Sequence, residues 1–242
     1  HEKVRLEDLD YVLITHGHID HFGGLTYVRS KTNARVGVHE LDLRNLTNYE
    51  ERLAIAASRL EAFFYEAGVS DERRAKLIEM YRFTKSLYRS TIVDFTFEAT
   101  GMQVGPFKML HTPGHCAGHV VIRLHDVLLS GDHVLDQTSP HQSPERLTLS
   151  TGLDHYLKSL AALESWAHGI SLTLGGHKDP VRDLRERIRQ IREVHLQRLC
   201  QVIDLLAETH TVAEISQILF GDVHGYNVLL ALEEAGAHVE YL

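Results

Sequence analysis

Cysteine is scarce in this chain: its 242 residues include two, Cys116 and Cys200, together with five prolines and one tryptophan. Two cysteines cannot build the disulfide framework typical of small secreted domains, and this fits a reducing compartment. The sequence also lacks a run of about 18 apolar residues and a recognisable signal peptide, so no membrane-spanning helix is predicted. The expectation is a cytoplasmic protein without a membrane partner.

Positive charge is also in short supply. Lysine and arginine together number 25 against 33 acidic residues, and the net charge is −8. An acidic chain is a poor partner for nucleic acid, so a small-molecule substrate is favoured. Residues 186–242 contain four arginines, no lysine and nine acidic residues. The helical tail there resembles a winged-helix element, and its charge favours a packing or dimerisation role over DNA binding.

Histidine, in contrast, is abundant, with 18 residues. The most informative cluster is Thr15-His16-Gly17-His18-Ile19-Asp20-His21, which follows the apolar run 11–15. That run predicts a buried strand, so the cluster lies where a strand ends, as functional sites in α/β folds do. His16 and His18 share one side of an extended segment, and Asp20 and His21 follow after a turn. Imidazole and carboxylate together suit zinc, iron or manganese.

Three further junctions repeat this arrangement of a predicted strand, a glycine and a histidine or aspartate. They are Thr112-Pro113-Gly114-His115, Ser130-Gly131-Asp132 and Gly175-Gly176-His177. Four junctions of one kind favour a shared metal site over a chance surface patch.

The remaining sequence predicts two domains, 1–182 and 183–242. Within the first, apolar spacing of three and four over about 41–89 predicts a helical insertion that forms a lid. In the second, 181–207 is predicted to be a long helix, and Thr211-Val212-Ala213-Glu214 is a capping box that starts another. A third helix over 226–235 is predicted to stop at Gly236, and 239–241 is predicted to form a terminal strand.

These motifs, in this order, resemble those of the metallo-β-lactamase superfamily, on its glyoxalase II and lactonase side. The tail resembles the branch that includes lactamase-β-like protein 2. The resemblance implies an αββα sandwich that carries two divalent metal ions, zinc foremost, with iron or manganese as alternatives. It assigns His16, His18 and His115 to the first metal and Asp20, His21 and His177 to the second, bridged by Asp132.

The function implied is hydrolysis of an ester-like bond, a thioester or lactone, by a metal-bridging hydroxide. The alternatives are a phosphodiesterase or endoribonuclease with the same site and a truncated, non-catalytic module. Asp20 is expected to orient the hydroxide. His119 is expected to support a metal ligand or donate to the oxyanion, or else to be structural.

Other histidines and the start of the chain carry weaker expectations. His39, His111, His141 and His155 are predicted to be surface or lid residues, and His133 to point away from the site. Family members have a longer segment before the first motif, whereas fifteen residues precede His16 here. The sandwich is therefore expected to lack its N-terminal strands, to expose a sheet edge, and to form a homodimer or associate with the missing N-terminal segment.

Overall fold

The computed structural model describes residues 5–208 and 211–242. The predicted domain ranges also include 1–4 and 209–210, which lie outside the described residues. The first sheet is parallel and has the strand order β1-β2-β3. Its strands are β1 Tyr11–Leu13, β2 Arg35–Val38 and β3 Phe95–Thr96. In the register of this sheet Val12 lies beside Val36, and Val38 lies beside Thr96.

The second sheet has the strand order β4-β5-β6-β7-β8. Its strands are β4 Gln103–Val104, β5 Phe107–His111, β6 Val120–Leu124, β7 Val127–Gly131 and β8 Leu172–Gly175. Neighbouring strands are antiparallel from β4 to β7, and β8 runs parallel to β7. The two sheets meet at the end of β1, where Val120 N–H donates to the Thr15 carbonyl over 2.8 Å.

The sheets face each other across one apolar layer and are covered by helices on their outer faces. Phe97, Met109 and Ile122 are buried between the sheets. Outside the first sheet lie α1 Ile19–Phe22, α2 Leu25–Arg29 and α3 Glu40–Thr47, and outside the second lie α6 Leu153–Trp166 and α7 Leu184–Leu206. This arrangement confirms the predicted αββα class.

The predicted insertion forms two long helices, α4 Tyr49–Glu66 and α5 Asp71–Lys85, which pack on each other and on the last helix, α9 Tyr226–Tyr241. Phe63, Phe64 and Leu229 lie at the centre of this cluster and are almost fully buried. Burying one such side chain stabilises the fold by about 1.5–3 kcal/mol. The apolar stripe read from the sequence is therefore the seam between the insertion and the tail.

The tail consists of α7, α8 Val212–Phe220 and α9, and the predicted capping box at Thr211 is present. The predicted stop at Gly236 and the terminal strand at 239–241 are wrong, since α9 continues through both. Gly236 lies against α4, where a Cβ would approach Phe63 Cζ to 2.6 Å. Glycine allows this close helix contact here, instead of ending the helix. Residues 183–208 and 211–242 contain no strand, so the described tail has no β wing.

None of the helices in the described ranges is long and apolar enough to cross a membrane.

Candidate metal centre

The four predicted junctions converge at one end of the sandwich. β1 delivers His16 and His18, and α1 begins directly after His18 and carries Asp20 and His21. The loop after β5 carries His115, the end of β7 leads to Asp132, and the end of β8 leads to His177. The parallel pairing of β7 with β8 brings the last two junctions together.

His16, His18 and His115 form the first group of side chains able to hold a metal ion, with their ligand atoms within 4.8 Å of one another. His16 Nε2 and His18 Nδ1 lie 3.1 Å apart. His115 Nδ1 donates to the His141 carbonyl over 2.7 Å, which leaves its Nε2 lone pair free. That Nε2 is buried and has no hydrogen-bond partner among the described residues. A carbonyl that fixes the ring of a metal-binding histidine is the usual supporting contact.

Burial favours the neutral form of these imidazoles. It holds the pKa of His16 and of His18 well below the usual value, and neighbouring histidines lower both further. Burial also lowers the pKa of His115, against the opposing effect of the Asp132 carboxylate. Neutral imidazole is the protonation state that binds a metal ion.

Asp20, His21, Asp132 and His177 form the second group, under the same distance limit. Asp20 Oδ2 lies 3.1 Å from His177 Nε2. The side chains of Asp20 and His177 are about half exposed, whereas those of His21 and Asp132 are nearly buried. The second group is therefore open on one side.

Asp132 Oδ2 connects the two groups. It lies 3.7 Å from His115 Nε2 in the first group, and 3.4 and 3.5 Å from the Nε2 atoms of His21 and His177 in the second. Burial opposes ionisation of Asp132, but the nearby rings of His21, His115 and His177 lower its pKa below the usual value. Despite burial, the same carboxylate raises the pKa of His21. In the described part of the chain, Asp132 Oδ1 and His21 Nε2 are buried without a hydrogen-bond partner.

His119 supports Asp132 from behind. Its ring is fully buried, and its Nε2 accepts the Asp132 backbone N–H over 3.1 Å. The proton of this neutral ring is therefore on Nδ1, which donates to Thr112 Oγ1 at 2.9 Å. Both ring nitrogens are thus engaged by the protein, an arrangement that fits the positioning role anticipated for this residue. His133, also fully buried, belongs to neither group.

Asp42 was not singled out in the sequence, yet it holds both histidine segments. Its buried carboxylate accepts Gly17 N–H at 2.7 Å, Gly118 N–H at 3.1 Å and the Cys116 thiol at 3.1 Å. Gly17 separates His16 from His18, and Cys116 follows His115. The available signal was the position of Asp42 on the apolar stripe of α3, four residues before the buried Leu46.

Two of the histidines expected at the surface or in the lid, His39 and His141, have structural contacts instead. His39 is 5% exposed, caps α3 by accepting Leu41 N–H, and stacks on His111 with ring centroids 3.9 Å apart. His141 Nε2 lies 3.0 Å from Glu233 Oε2 on α9. That expectation is therefore wrong for His39 and His141, because each ring is held by a carboxylate or by the backbone. His155, about one-third exposed, does lie near the surface.

A cavity of about 590 Å³ opens onto both groups. Helices α4, α5 and α9 form its far wall, so the predicted lid position of the insertion is consistent with the lining residues. The wall is largely apolar and aromatic, and its residues include Tyr49, Leu53, Leu60, Tyr81, Tyr88, Tyr226 and Leu229.

A third group of possible ligands, His195, Glu234 and His238, lies buried between α7 and α9. His238 Nδ1 donates to the Glu234 carbonyl at 2.7 Å, so its Nε2 accepts from His195 Nδ1 at 3.1 Å. Arg198 Nη1 lies 2.8 Å from Glu234 Oε1. Hydrogen bonds and a guanidinium therefore engage most of this cluster, and His195 Nε2 is left buried without a hydrogen-bond partner among the described residues.

Known proteins are similar to this chain in sequence and in fold. Residues 2–209 match the family described as the metallo-beta-lactamase superfamily. A Bacillus subtilis protein named "Probable metallo-hydrolase YqjP" is 24% identical over 250 residues, which cover 99% of this chain and 76% of the relative. A metallo-beta-lactamase family protein from Thermus thermophilus is 28% identical with a TM-score of 0.76, over 98% of this chain and 75% of that one. A beta-lactamase domain protein from Burkholderia ambifaria is 26% identical with a TM-score of 0.72, over 96% and 69% of the two chains.

Proposed function

The chain belongs to the metallo-beta-lactamase superfamily and is a metal-dependent hydrolase, and from this premise we propose that it binds two metal ions and cleaves an ester-like bond. The substrate proposed is a small thioester or lactone. The observation that carries this proposal is the position of Asp132 Oδ2, within 3.7 Å of one histidine of the first group and two of the second.

The buried atoms without partners in the described ranges fit two ions. His115 Nε2 in the first group, and His21 Nε2 and Asp132 Oδ1 in the second, are such atoms. They are costly to bury unless a ligand satisfies them. Three imidazoles would hold one ion, and two imidazoles with Asp20 would hold the other, with Asp132 shared. This set of nitrogen and oxygen donors suits zinc first and also iron or manganese.

Two bound ions would polarise the substrate carbonyl and lower the pKa of water to about 7. Asp20, open to the cavity, would accept a proton from the attacking water and return it to the leaving thiol or alcohol. Water adds to the carbonyl carbon, and the bond from that carbon to sulfur or oxygen breaks. His119 would hold Asp132 in place through its backbone N–H.

The cavity wall and the charge of the chain favour a small organic substrate. An apolar, aromatic wall binds an acyl group through area removed from water. A chain with a net charge of −8 would repel a nucleic acid, whose binding depends on phosphate contacts. The phosphodiesterase alternative predicts cleavage of bis-p-nitrophenyl phosphate and salt-sensitive RNA binding, and the assay below includes both.

The test compares wild type with Asp132→Ala and with Asp136→Ala, a nearby aspartate outside both groups. We expect two metal ions per wild-type chain by mass spectrometry, and hydrolysis of thioesters or lactones. Asp132→Ala should lose at least one ion and reduce kcat/KM at least about 100-fold. Replacing a residue that only supports a metal ligand already costs about 10–100-fold, and Asp132 is itself a proposed ligand. Asp136→Ala should match wild type.

Three results would contradict this proposal. They are wild-type protein that takes up no metal, equal activity in Asp132→Ala, and cleavage of phosphodiesters with no activity on acyl substrates.

A further inference from the structure

Two basic side chains, Arg52 on α4 and Lys85 at the end of α5, line the cavity that opens onto the metal-binding groups. We propose that Lys85 and Arg52 bind an anionic group of the substrate, a carboxylate or phosphate, at a distance from the bond that is cleaved. The inference rests on the proposed function, because it describes the substrate of the same site.

Neither cation has an acidic partner among the described residues. No carboxylate in those ranges lies within 4.0 Å of Lys85 Nζ or of the Arg52 guanidinium, whereas exposed Lys76 and Lys158 pair with acids one helical turn away. Lys85 Nζ lies over the ring of Tyr81, 5.2 Å from its centroid. In a chain with more acids than bases, two unpaired cations in one cavity need an explanation, because a largely buried lysine is normally paired.

The acids that face Lys85 are already engaged elsewhere. Burial lowers the pKa of Lys85. The negative charges of Glu233 and Asp20 act to raise it, but burial is the larger effect. Glu233 Oε2 is bound to His141 Nε2 at 3.0 Å, and Asp20 Oδ2 lies 3.1 Å from His177 Nε2. The ammonium therefore keeps its hydrogen-bonding capacity for a ligand.

Two tyrosine hydroxyls add donors to the same wall. Tyr81 and Tyr226 both line the cavity, and among the described residues neither hydroxyl makes a hydrogen bond. Burial raises the pKa of both tyrosines. For Tyr81 it outweighs the charge of Arg52, which acts to lower the pKa. Both hydroxyls therefore remain protonated and can donate to an anion.

The anion subsite and the metal-binding groups share one cavity of about 590 Å³. A single small molecule can therefore reach both, with its apolar middle against Leu53, Ala56, Leu60 and Leu229. The chemistry that fits is an acyl thioester or ester whose acyl chain ends in a carboxylate or carries a phosphate. Preference for such a substrate over its neutral counterpart is the expected property of the enzyme.

The test uses the metal-loaded enzyme with a glutaryl thioester and with the methyl ester of its free carboxyl group. Lys85→Gln should lower kcat/KM for the glutaryl thioester about 10- to 100-fold, chiefly through KM, because it removes a charged hydrogen bond. It should leave the neutral substrate within about twofold. Lys85→Arg should retain most of the preference, and Lys76→Gln, an exposed change on the same helix, should leave both substrates unaffected. Equal loss on both substrates at unchanged metal content would overturn the inference.

Calorimetry separates this inference from the proposed function. Glutarate and propyl phosphate are titrated into wild type, Lys85→Gln and Arg52→Gln, with folding checked by circular dichroism. Weaker binding to both variants supports the subsite even where no thioester is cleaved, and the tighter of the two probes identifies the anion. Equal binding to wild type and variants, or no binding to any, overturns the subsite even if hydrolysis is observed.

Discussion

Asp42 offers the sharpest test of how the metal-binding segments are held, because it is remote in sequence from most of what it binds. Asp42→Asn keeps the size and shape of the side chain but replaces one acceptor oxygen with an NH₂ group. Gly17 N–H and Gly118 N–H bind different oxygens of the carboxylate, at 2.7 and 3.1 Å. Either orientation of the amide therefore leaves one buried N–H facing a donor.

The cost follows from that mismatch. A charge-assisted hydrogen bond contributes about 1.5–3 kcal/mol to the free energy of unfolding, and this is lost in the variant. The buried N–H left without an acceptor costs about 1–3 kcal/mol more. Burial raises the pKa of Asp42, so removing its charge offsets part of the loss. We expect a net destabilisation of about 2–4 kcal/mol, or a fall in Tm of roughly 5–15 °C for a chain of this size.

The effect should also reach the metal-binding groups. Gly17 lies between His16 and His18, so a displaced loop misdirects both rings, and metal affinity should fall about 10- to 100-fold. The measurements are calorimetric unfolding of the metal-free protein and competition with a chelator. Asp204→Asn, an exposed aspartate on α7, is the matched control and should change stability by less than about 0.5 kcal/mol. Wild-type Tm and wild-type metal affinity in Asp42→Asn would refute this account of the site.

Two further predictions concern a close contact and a surface ion pair. Gly176→Ala should abolish metal binding at the second group with little change in secondary structure. A Cβ at this position would overlap Asp132 Oδ1 and lie 2.6 Å from His21 Cε1. Full metal content of the variant by mass spectrometry would contradict this prediction. Asp94 has a lowered pKa because Arg29 donates to it at 2.8 Å, so its stabilisation is present above about pH 4 and is lost as pH falls through the lower folded value. Asp94→Asn should cost up to about 1 kcal/mol in urea unfolding at pH 7, since the pair is partly exposed, and the difference from wild type should shrink below about pH 4; a constant difference would argue against the ion pair.

The sequence was informative about the candidate ligands because they follow predicted strands, and five of the seven stand directly beside a glycine. Local pattern suffices to place each candidate beside a strand end, and the packing of the two sheets brings the end of β1 together with the ends of β5, β7 and β8. Asp42 was not predicted, because its partner Gly118 lies 76 residues away and nothing in the sequence relates the two. The link from His141 to Glu233 spans 92 residues and was missed for the same reason.

The end of the chain was mispredicted for a different physical reason. Glycine after a helical run usually marks a stop, because it adopts the left-handed backbone conformation that ends helices. Gly236 instead lies inside α9, and the contact with Phe63 that explains it comes from tertiary packing. A glycine near the end of a helical run can either end the helix or allow a close helix contact. Here the contact with Phe63 determined which of the two occurs.

The last helix, α9, contributes both to the substrate-binding wall and to the support of a candidate metal ligand. α9 supplies Glu233, which lines the cavity and holds the His141 ring at 3.0 Å. The carbonyl of His141 in turn fixes His115 in the first metal-binding group at 2.7 Å. A change at Glu233 therefore acts on the substrate wall and on a candidate ligand through one connected set of contacts. Changes at the cavity-lining residues of α4, for which the described residues show no hydrogen bond to His141 or His115, should alter substrate preference alone.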